Sequence, residues 1–384
     1  MKKIPIGRSL TVMFSRKKIE GPESMNVFIR TDASASIGTG HVMRCLVLAD
    51  DLRKEKVAVS FICRPLEGHL IHYIRKRGYT VHVLPCPKLI DSEARTMPWT
   101  DKIQKMDAEQ TIQVISGKSE IHWLISDHYG IDRRWERLIK PFVQRLMVID
   151  DLANRPHDCH LLLDQNLYKN ADERYTKLIP EQASALLGIK YLLLRPEFRS
   201  IKNIKTRDGT IERLLVSFGG SDPTHETLKA LQAIERLNQP NLHVDVVVGF
   251  SNGDYFKIKE FAERMPGTVV HHQIDYLARL MTKADLSIGA GGSTTWERCF
   301  VRLPALTIET ADNQSEILSF LKEEGAVCHL GVSDKVTEND ISVQLEKLLS
   351  DPGRVRRMSA RCALMMVGYE KCSVAKRLLE GRQL

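Results

Sequence analysis

Asn26-Val27-Phe28-Ile29-Arg30-Thr31-Asp32, followed shortly by Ile37-Gly38-Thr39-Gly40-His41-Val42-Met43-Arg44-Cys45-Leu46, decides the fold class. The first stretch is rich in β-branched and aromatic residues, as strands are. The second is a glycine turn opening onto a segment with Val42, Cys45, Leu46 and Ala49 on one helical face. Strand, glycine turn and helix form the repeating unit of a parallel α/β sheet, and the chain repeats it. Strands are predicted over 57–63, 80–84, 122–126 and 146–149, with helices over 41–54, 70–77, 108–115 and 133–144. The period is lost over 150–210. A second alternation follows, with strands over 213–217, 244–248, 268–271, 286–288 and 305–308. Runs apolar on both faces belong to sheets covered by helices on both sides. The expected fold is therefore α/β, two Rossmann-like domains facing across a cleft. The expected bounds are 25–205 and 206–384, joined through the polar stretch 202–210, after a basic extension over 1–24.

Composition narrows the function classes. The chain has 384 residues, 43% hydrophobic and 27% charged, which is ordinary for a globular protein. No apolar run approaches the roughly 20 residues that span a bilayer, so no membrane partner is expected. Of the net charge of +8, half comes from residues 1–24, where Lys2, Lys3, Arg8, Arg16, Lys17 and Lys18 face only Glu20 and Glu23. The rest is too weakly basic for a nucleic-acid footprint without a basic stripe, and suits an anionic small substrate. The eight cysteines form no Cys-x-x-Cys pair. That is reduced usage, and the expected location is cytoplasmic, with Met25 opening the folded part.

The glycine turns carry the ligand chemistry. The first is no dinucleotide fingerprint: the third glycine falls at Met43, and the second strand ends in Cys63-Arg64 where an acid should hold the ribose. No Walker lysine follows it either. The second half has two more turns, Phe218-Gly219-Gly220-Ser221-Asp222 and Gly289-Ala290-Gly291-Gly292-Ser293-Thr294-Thr295. Two glycine turns at the strand ends of one domain point to a diphosphate, since glycine lets backbone N–H groups approach phosphate oxygens. Glu297, one turn further, is placed either to accept from a ribose diol or to serve as a favourable charge early in a helix.

His41, at a strand–helix junction, is a general-base candidate. Asp127-His128-Tyr129-Gly130 ends another strand of the same sheet and brings an acid, an imidazole and a phenol to the same edge. His157-x-Cys159-His160 has a metal-like look but lacks a partner pair, so no metal is expected. No Gly-x-Ser-x-Gly elbow is present. Thr310-Ala311-Asp312-Asn313-Gln314 follows the last predicted strand, with amides that either cap a helix or bind a sugar.

Together these motifs resemble the UDP-sugar hydrolases of pseudaminic acid biosynthesis. The resemblance runs in order through residues 28–34, 37–46, Arg64-Pro65-Leu66-Glu67-Gly68, 125–130, Asp164-Gln165-Asn166, 218–222 and 291–294. That family is similar in architecture to the two-domain (GT-B) glycosyltransferases. The resemblance implies metal-independent hydrolysis of UDP-2,4-diacetamido-2,4,6-trideoxy-β-L-altropyranose, with inversion and without a cofactor. It implies His41 as base, with Tyr129 and Asn313 also catalytic. It assigns Gly219, Gly220, Ser221, Gly291, Gly292 and Ser293 to phosphate, Glu297 to ribose and Ile274 to uracil. Gly38, Gly40 and Asp127 are expected at the sugar. A monomer is expected. The alternatives are a UDP-sugar glycosyltransferase, a hydrolase of a different nucleotide-sugar of the spore-coat polysaccharide type, and a non-catalytic nucleotide-sugar binder. The segment 91–107 reads as an insertion near the cleft, and the part beyond residue 336 agrees with the family only in helical pattern.

Overall fold

The structure, a computed structural model, describes residues 25–34, 37–86, 99–118, 120–249 and 251–380. The basic extension and the first part of the presumed insertion lie outside these residues. Two parallel sheets carry the fold. The first joins β1 (Asn26–Thr31), β2 (Ala58–Cys63), β3 (Thr80–Val83), β4 (Trp123–Asp127), β5 (Arg145–Ile149), β6 (Leu161–Asp164) and β7 (Ser184–Leu187) in the order β3-β2-β1-β4-β5-β6-β7. The second joins β8 (Arg213–Ser217), β9 (His243–Val248), β10 (Thr268–His272), β11 (Leu286–Ala290), β12 (Ala305–Glu309) and β13 (Val327–Val332) in the order β10-β9-β8-β11-β12-β13.

Each sheet reverses its strand order once, at β1/β4 and at β8/β11. Connections leave such neighbours in opposite directions, which opens a crevice beyond the strand ends. At the first crevice Thr31 pairs in register with Asp127, and the helix Gly40–Lys54 begins just after β1. At the second, β8 runs into Gly219 and β11 into Gly291. All the glycine turns singled out in the sequence therefore lie at the two switch points.

Three features depart from the sequence reading. The irregular stretch 150–210 contains β6 and β7, each only four residues long, too short to show a period; β13 was missed as well. The helix predicted from residue 108 starts at Asp101. Trp99 and Ile103 are buried in the core beside Trp135, and Asp107 is ion-paired with Arg30 and Arg64. The later half of the presumed insertion is thus core.

The two halves are also stitched together. The final helix, Ser373–Glu380, places Val374, Ala375 and Leu378 in the core of the first sheet, and the Trp123 indole N–H donates to the Leu378 carbonyl at 3.3 Å. In return Ile189, Leu192, Leu194 and Phe198 pack in the core of the second. In the polar connection Gly209 has φ +100°, and a Cβ there would lie 1.9 Å from the Pro352 carbonyl oxygen, so only glycine fits. Among the described residues no helix is long and apolar enough to cross a membrane.

Candidate active site

His41 enters on the second residue of the Gly40–Lys54 helix, and Asp127 on the last residue of β4. His41 Nδ1 lies 2.6 Å from Asp127 Oδ1. Arg44, one turn after His41, donates Nε to Asp127 Oδ2 and Nη2 to Asp127 Oδ1, both at 2.7 Å. Burial works against a charge on Asp127, but the Arg44 guanidinium and the His41 ring hold its carboxyl well below the usual carboxylate range. An ionised carboxylate only accepts, so Nδ1 carries a proton, and in the neutral ring Nε2 is the nitrogen with the lone pair. Nε2 has no hydrogen-bond partner among the described residues. This is the geometry of an oriented general base.

The network continues across the cleft. Arg44 Nη1 donates to Asp151 Oδ2 at 2.8 Å, and the Tyr129 hydroxyl donates to Asp151 Oδ1 at 2.6 Å. The Asn313 amide, from the second domain, donates to the Tyr129 oxygen at 3.0 Å. The Tyr129 and His41 rings meet edge to face with centroids 4.4 Å apart. Burial and the neighbouring Asp151 raise the Tyr129 phenol well above its usual range, so it stays neutral and acts as a dipole. The three expected catalytic residues are thus brought together. Asp127, expected at the sugar, has no exposed surface and both oxygens bonded to His41 and Arg44, a geometry suited to orienting His41 rather than to meeting a sugar.

His128, between Asp127 and Tyr129, goes elsewhere. Its Nδ1 accepts from the Gly130 N–H at 2.9 Å and its Nε2 lies 3.3 Å from Asp32 Oδ2. Asp32 is paired with Arg30 at 2.8 Å. Asp107 accepts from Arg30, at 2.7 Å, and from the Trp135 indole, at 2.9 Å. This group is fully enclosed beneath the sheet edge. The metal-like trio is also dispersed. His157 pairs with Glu136 at 2.6 Å, Cys159 is buried in a small apolar cluster, and His160 Nδ1 accepts from the Leu146 N–H.

On the second domain, Gly219 has φ +88°, which a side chain would strain, and beside both Gly219 and Gly292 there is open space. The same holds for Gly38, with φ +81°, and Gly40 opposite. Gly220 abuts Thr39 of the first turn, where a Cβ would come within 3.2 Å of the threonine methyl and hydroxyl. The Gly291 N–H is already donated to Gln314 Oε1 at 3.0 Å, so Gly291 contributes shape, and a Cβ there would strike Leu318. Ser221 is half-buried and Ser293 exposed. Ile274 is half-buried against the core of the second domain. Glu297 is held by Arg195, with Nη2–Oε2 at 2.7 Å, and both line a small cavity with Arg44 and Ser293.

Arg44, Asp151 and Arg195 had no role in the sequence reading. A signal existed for Arg44, which lies three residues after His41 on one helix face, and for Asp151, just past the end of β5. Arg195 gave none, because its partner is 102 residues away.

No known protein-family profile matches the chain. It is 27% identical over 303 residues to the UDP-2,4-diacetamido-2,4,6-trideoxy-β-L-altropyranose hydrolase of Campylobacter jejuni, covering 78% of this chain and 97% of that protein. It is 26% identical over 328 residues to the spore coat polysaccharide biosynthesis protein SpsG of Bacillus subtilis, covering 85% and 89%. Among solved structures, MurG of Acinetobacter baumannii superposes with a TM-score of 0.60 at 12% identity, covering 93% of this chain and 99% of that one. Arabidopsis thaliana UGT89C1 complexed with UDP superposes with a TM-score of 0.64 at 12% identity, covering 93% and 98%. In sequence the chain is similar to a UDP-diacetamido-trideoxy-altropyranose hydrolase, and its fold is the two-domain glycosyltransferase (GT-B) fold.

Proposed function

We propose that the protein hydrolyses UDP-2,4-diacetamido-2,4,6-trideoxy-β-L-altropyranose to UDP and the free sugar, as a step in pseudaminic acid biosynthesis. The observation that carries this reading is the His41–Asp127 pair, oriented through Nδ1 with Nε2 left unpartnered among the described residues, on the helix that follows the first glycine turn. His41 Nε2 takes a proton from water as the water oxygen attacks the anomeric carbon. The bond from that carbon to the diphosphate oxygen breaks, and its electron pair leaves with UDP. One displacement inverts the anomeric centre. Asp127 stabilises the imidazolium that forms. A diphosphate leaves without protonation, so the second carboxyl that inverting glycosidases use as acid is not required. Neither a metal nor a cofactor enters this scheme. The second-domain turns hold the UDP, with Gly219, Gly220, Ser221, Gly292 and Ser293 near the phosphates, Glu297 toward the ribose and Ile274 toward the uracil.

The similarity to SpsG supports a second reading, the same chemistry on a different nucleotide-sugar. The test is incubation of the pure protein with the UDP-sugar and a chelator, followed by NMR of the anomeric proton, alongside His41→Ala. Release of UDP with an inverted free sugar, slowed at least about a hundredfold by the substitution, is the expected result. UDP binding with no turnover would move the weight to a transferase awaiting its acceptor.

A further inference from the structure

Arg298 is a cation buried without a counter-ion. It is 2% exposed, and among the described residues it makes no ion pair with a carboxylate. Its sequence neighbour Glu297 is committed to Arg195. The guanidinium donates Nη2 to the Ala290 carbonyl at 2.7 Å and to the Thr295 hydroxyl at 2.9 Å, while Nε has no partner. Its Nη1 packs under Gly289, where a Cβ would come within 2.9 Å. Burying a charge in this way is costly unless an opposite charge compensates it. Burial lowers its pKa from the usual guanidinium value. Arg30 and Arg64, equally enclosed, both have carboxylate partners; Arg207, buried with none among the described residues, spends Nε and both Nη groups on three backbone carbonyls, whereas Arg298 leaves Nε unpartnered.

What lies above Arg298 is the turn 289–293, the one assigned to a diphosphate. We propose that Arg298 is a positioning residue for that diphosphate: it braces the turn through the Ala290 carbonyl, and its uncompensated charge is completed when a nucleoside diphosphate occupies the turn. The inference rests on the reading of this domain as the UDP site. Little water lies between a buried charge and the turn it supports, so its field is poorly screened. A neutral donor would brace the carbonyl equally well without supplying the charge.

The test compares UDP with uridine, which lacks the phosphates, by NMR or calorimetric titration of wild type, Arg298→Met and Arg298→Lys. Arg298→Met is expected to lose about tenfold or more in UDP affinity while uridine affinity stays within about twofold. Arg298→Lys, which keeps the charge, is expected to recover most of the loss. Equal loss for UDP and uridine, or no loss for UDP, overturns the proposal. Should Arg298→Met fail to fold, the wild type still decides: the Arg298 Nε–H resonance should move on adding UDP and stay put with uridine. A wild type that binds UDP but leaves the sugar nucleotide intact sinks the hydrolase reading and leaves this one standing. A wild type that binds UDP no tighter than uridine sinks this one regardless of turnover.

Discussion

Two polar networks meet at the end of β4, and consecutive residues of one short motif divide between them. Asp127 and Tyr129 join His41, Arg44, Asp151 and Asn313. His128 joins Arg30, Asp32, Arg64 and Asp107. Both networks are built from imidazole, carboxylate and guanidinium, and both grow from the ends of β1 and β4. They differ in closure. Around His128 every partner is buried and both ring nitrogens face a protein group. The other network is open at its ends: Asp151 is 12% exposed, Asn313 is exposed, and His41 Nε2 has no partner among the described residues. A histidine with both nitrogens committed acts as a fastener, whereas one oriented from one side and free on the other is available for reaction.

The largest expected effects come from removing the two imidazoles in turn. His41→Ala should lower kcat by about 10²–10⁴-fold, with UDP affinity nearly unchanged and the smaller loss of stability of the two, since Arg44 keeps both oxygens of Asp127 paired. His128→Ala should do the reverse. It takes the imidazole from one oxygen of Asp32, which keeps Arg30, and leaves a buried cavity, at a cost of about 3 kcal/mol by denaturant unfolding, while the folded fraction retains kcat within a few-fold. A His128→Ala protein that folds normally but has lost turnover would erase the distinction. Asp127→Asn falls between these, about 100-fold down in kcat, because an amide no longer fixes the tautomer of His41 or stabilises its cation.

A third imidazole sharpens the comparison. His157 is enclosed like His128, but faces two acids, with Nδ1 2.6 Å from Glu136 and Nε2 3.8 Å from Asp150. Burial opposes its charge, but Glu136 and Asp150 outweigh it and push the ring up to about 9 from an ordinary 6.5. The folded state therefore holds this proton more tightly than the unfolded chain. The stabilisation is complete below about pH 6.5 and is lost as pH rises through about 9, a change on the order of 3 kcal/mol. Asp164, pushed up to about 7 by burial and by Asp151, adds a loss of the same sign at lower pH. Glu136→Gln isolates the His157 contribution: the stability difference between wild type and this variant should shrink between pH 6.5 and 9.5. A difference that stays constant over that range would contradict the assignment.

The architecture was legible where β-branched and apolar runs alternated with amphipathic stretches. Ten of the thirteen strands were legible as short runs rich in β-branched and other apolar residues, and the glycine turns marked the ends of β1, β8 and β11. β6 and β7 were not legible, because Leu161-Leu162-Leu163-Asp164 and Ser184-Ala185-Leu186-Leu187 are four residues each and show no alternation. The residues touching one another in the site were legible only as types. Asp127 was placed at the sugar because it shares a motif with Tyr129, and its burial follows from Arg44, whose direction depends on the helix phase. The polar segment before Ala108 read as an insertion because it departs from the family pattern, and nothing local shows that Asp107 is satisfied by Arg30 and Arg64, far away in sequence. Long-range ion pairs leave no local signature.

The smallest of these effects bears on how the open network is held together. Asp151 joins its two halves: one oxygen anchors Arg44, which grips Asp127, and the other accepts from Tyr129, which meets Asn313. Its backbone carbonyl accepts from Tyr168 and Arg174, so its position is set independently of its carboxylate. Asp151→Asn keeps the shape and removes the charge. The expected cost is about tenfold in kcat with KM within about threefold, since groups that orient a catalytic residue act on the transition state more than on binding. Tyr129→Phe should give a loss of similar size, because it cuts the bridge to Asn313 while the ring still packs on His41. If Asp151 works through Tyr129, the double variant should be little worse than the poorer single one. Multiplying losses would mean that Arg44 and Tyr129 serve the base separately, and the network would then be two pairs that happen to share an acid.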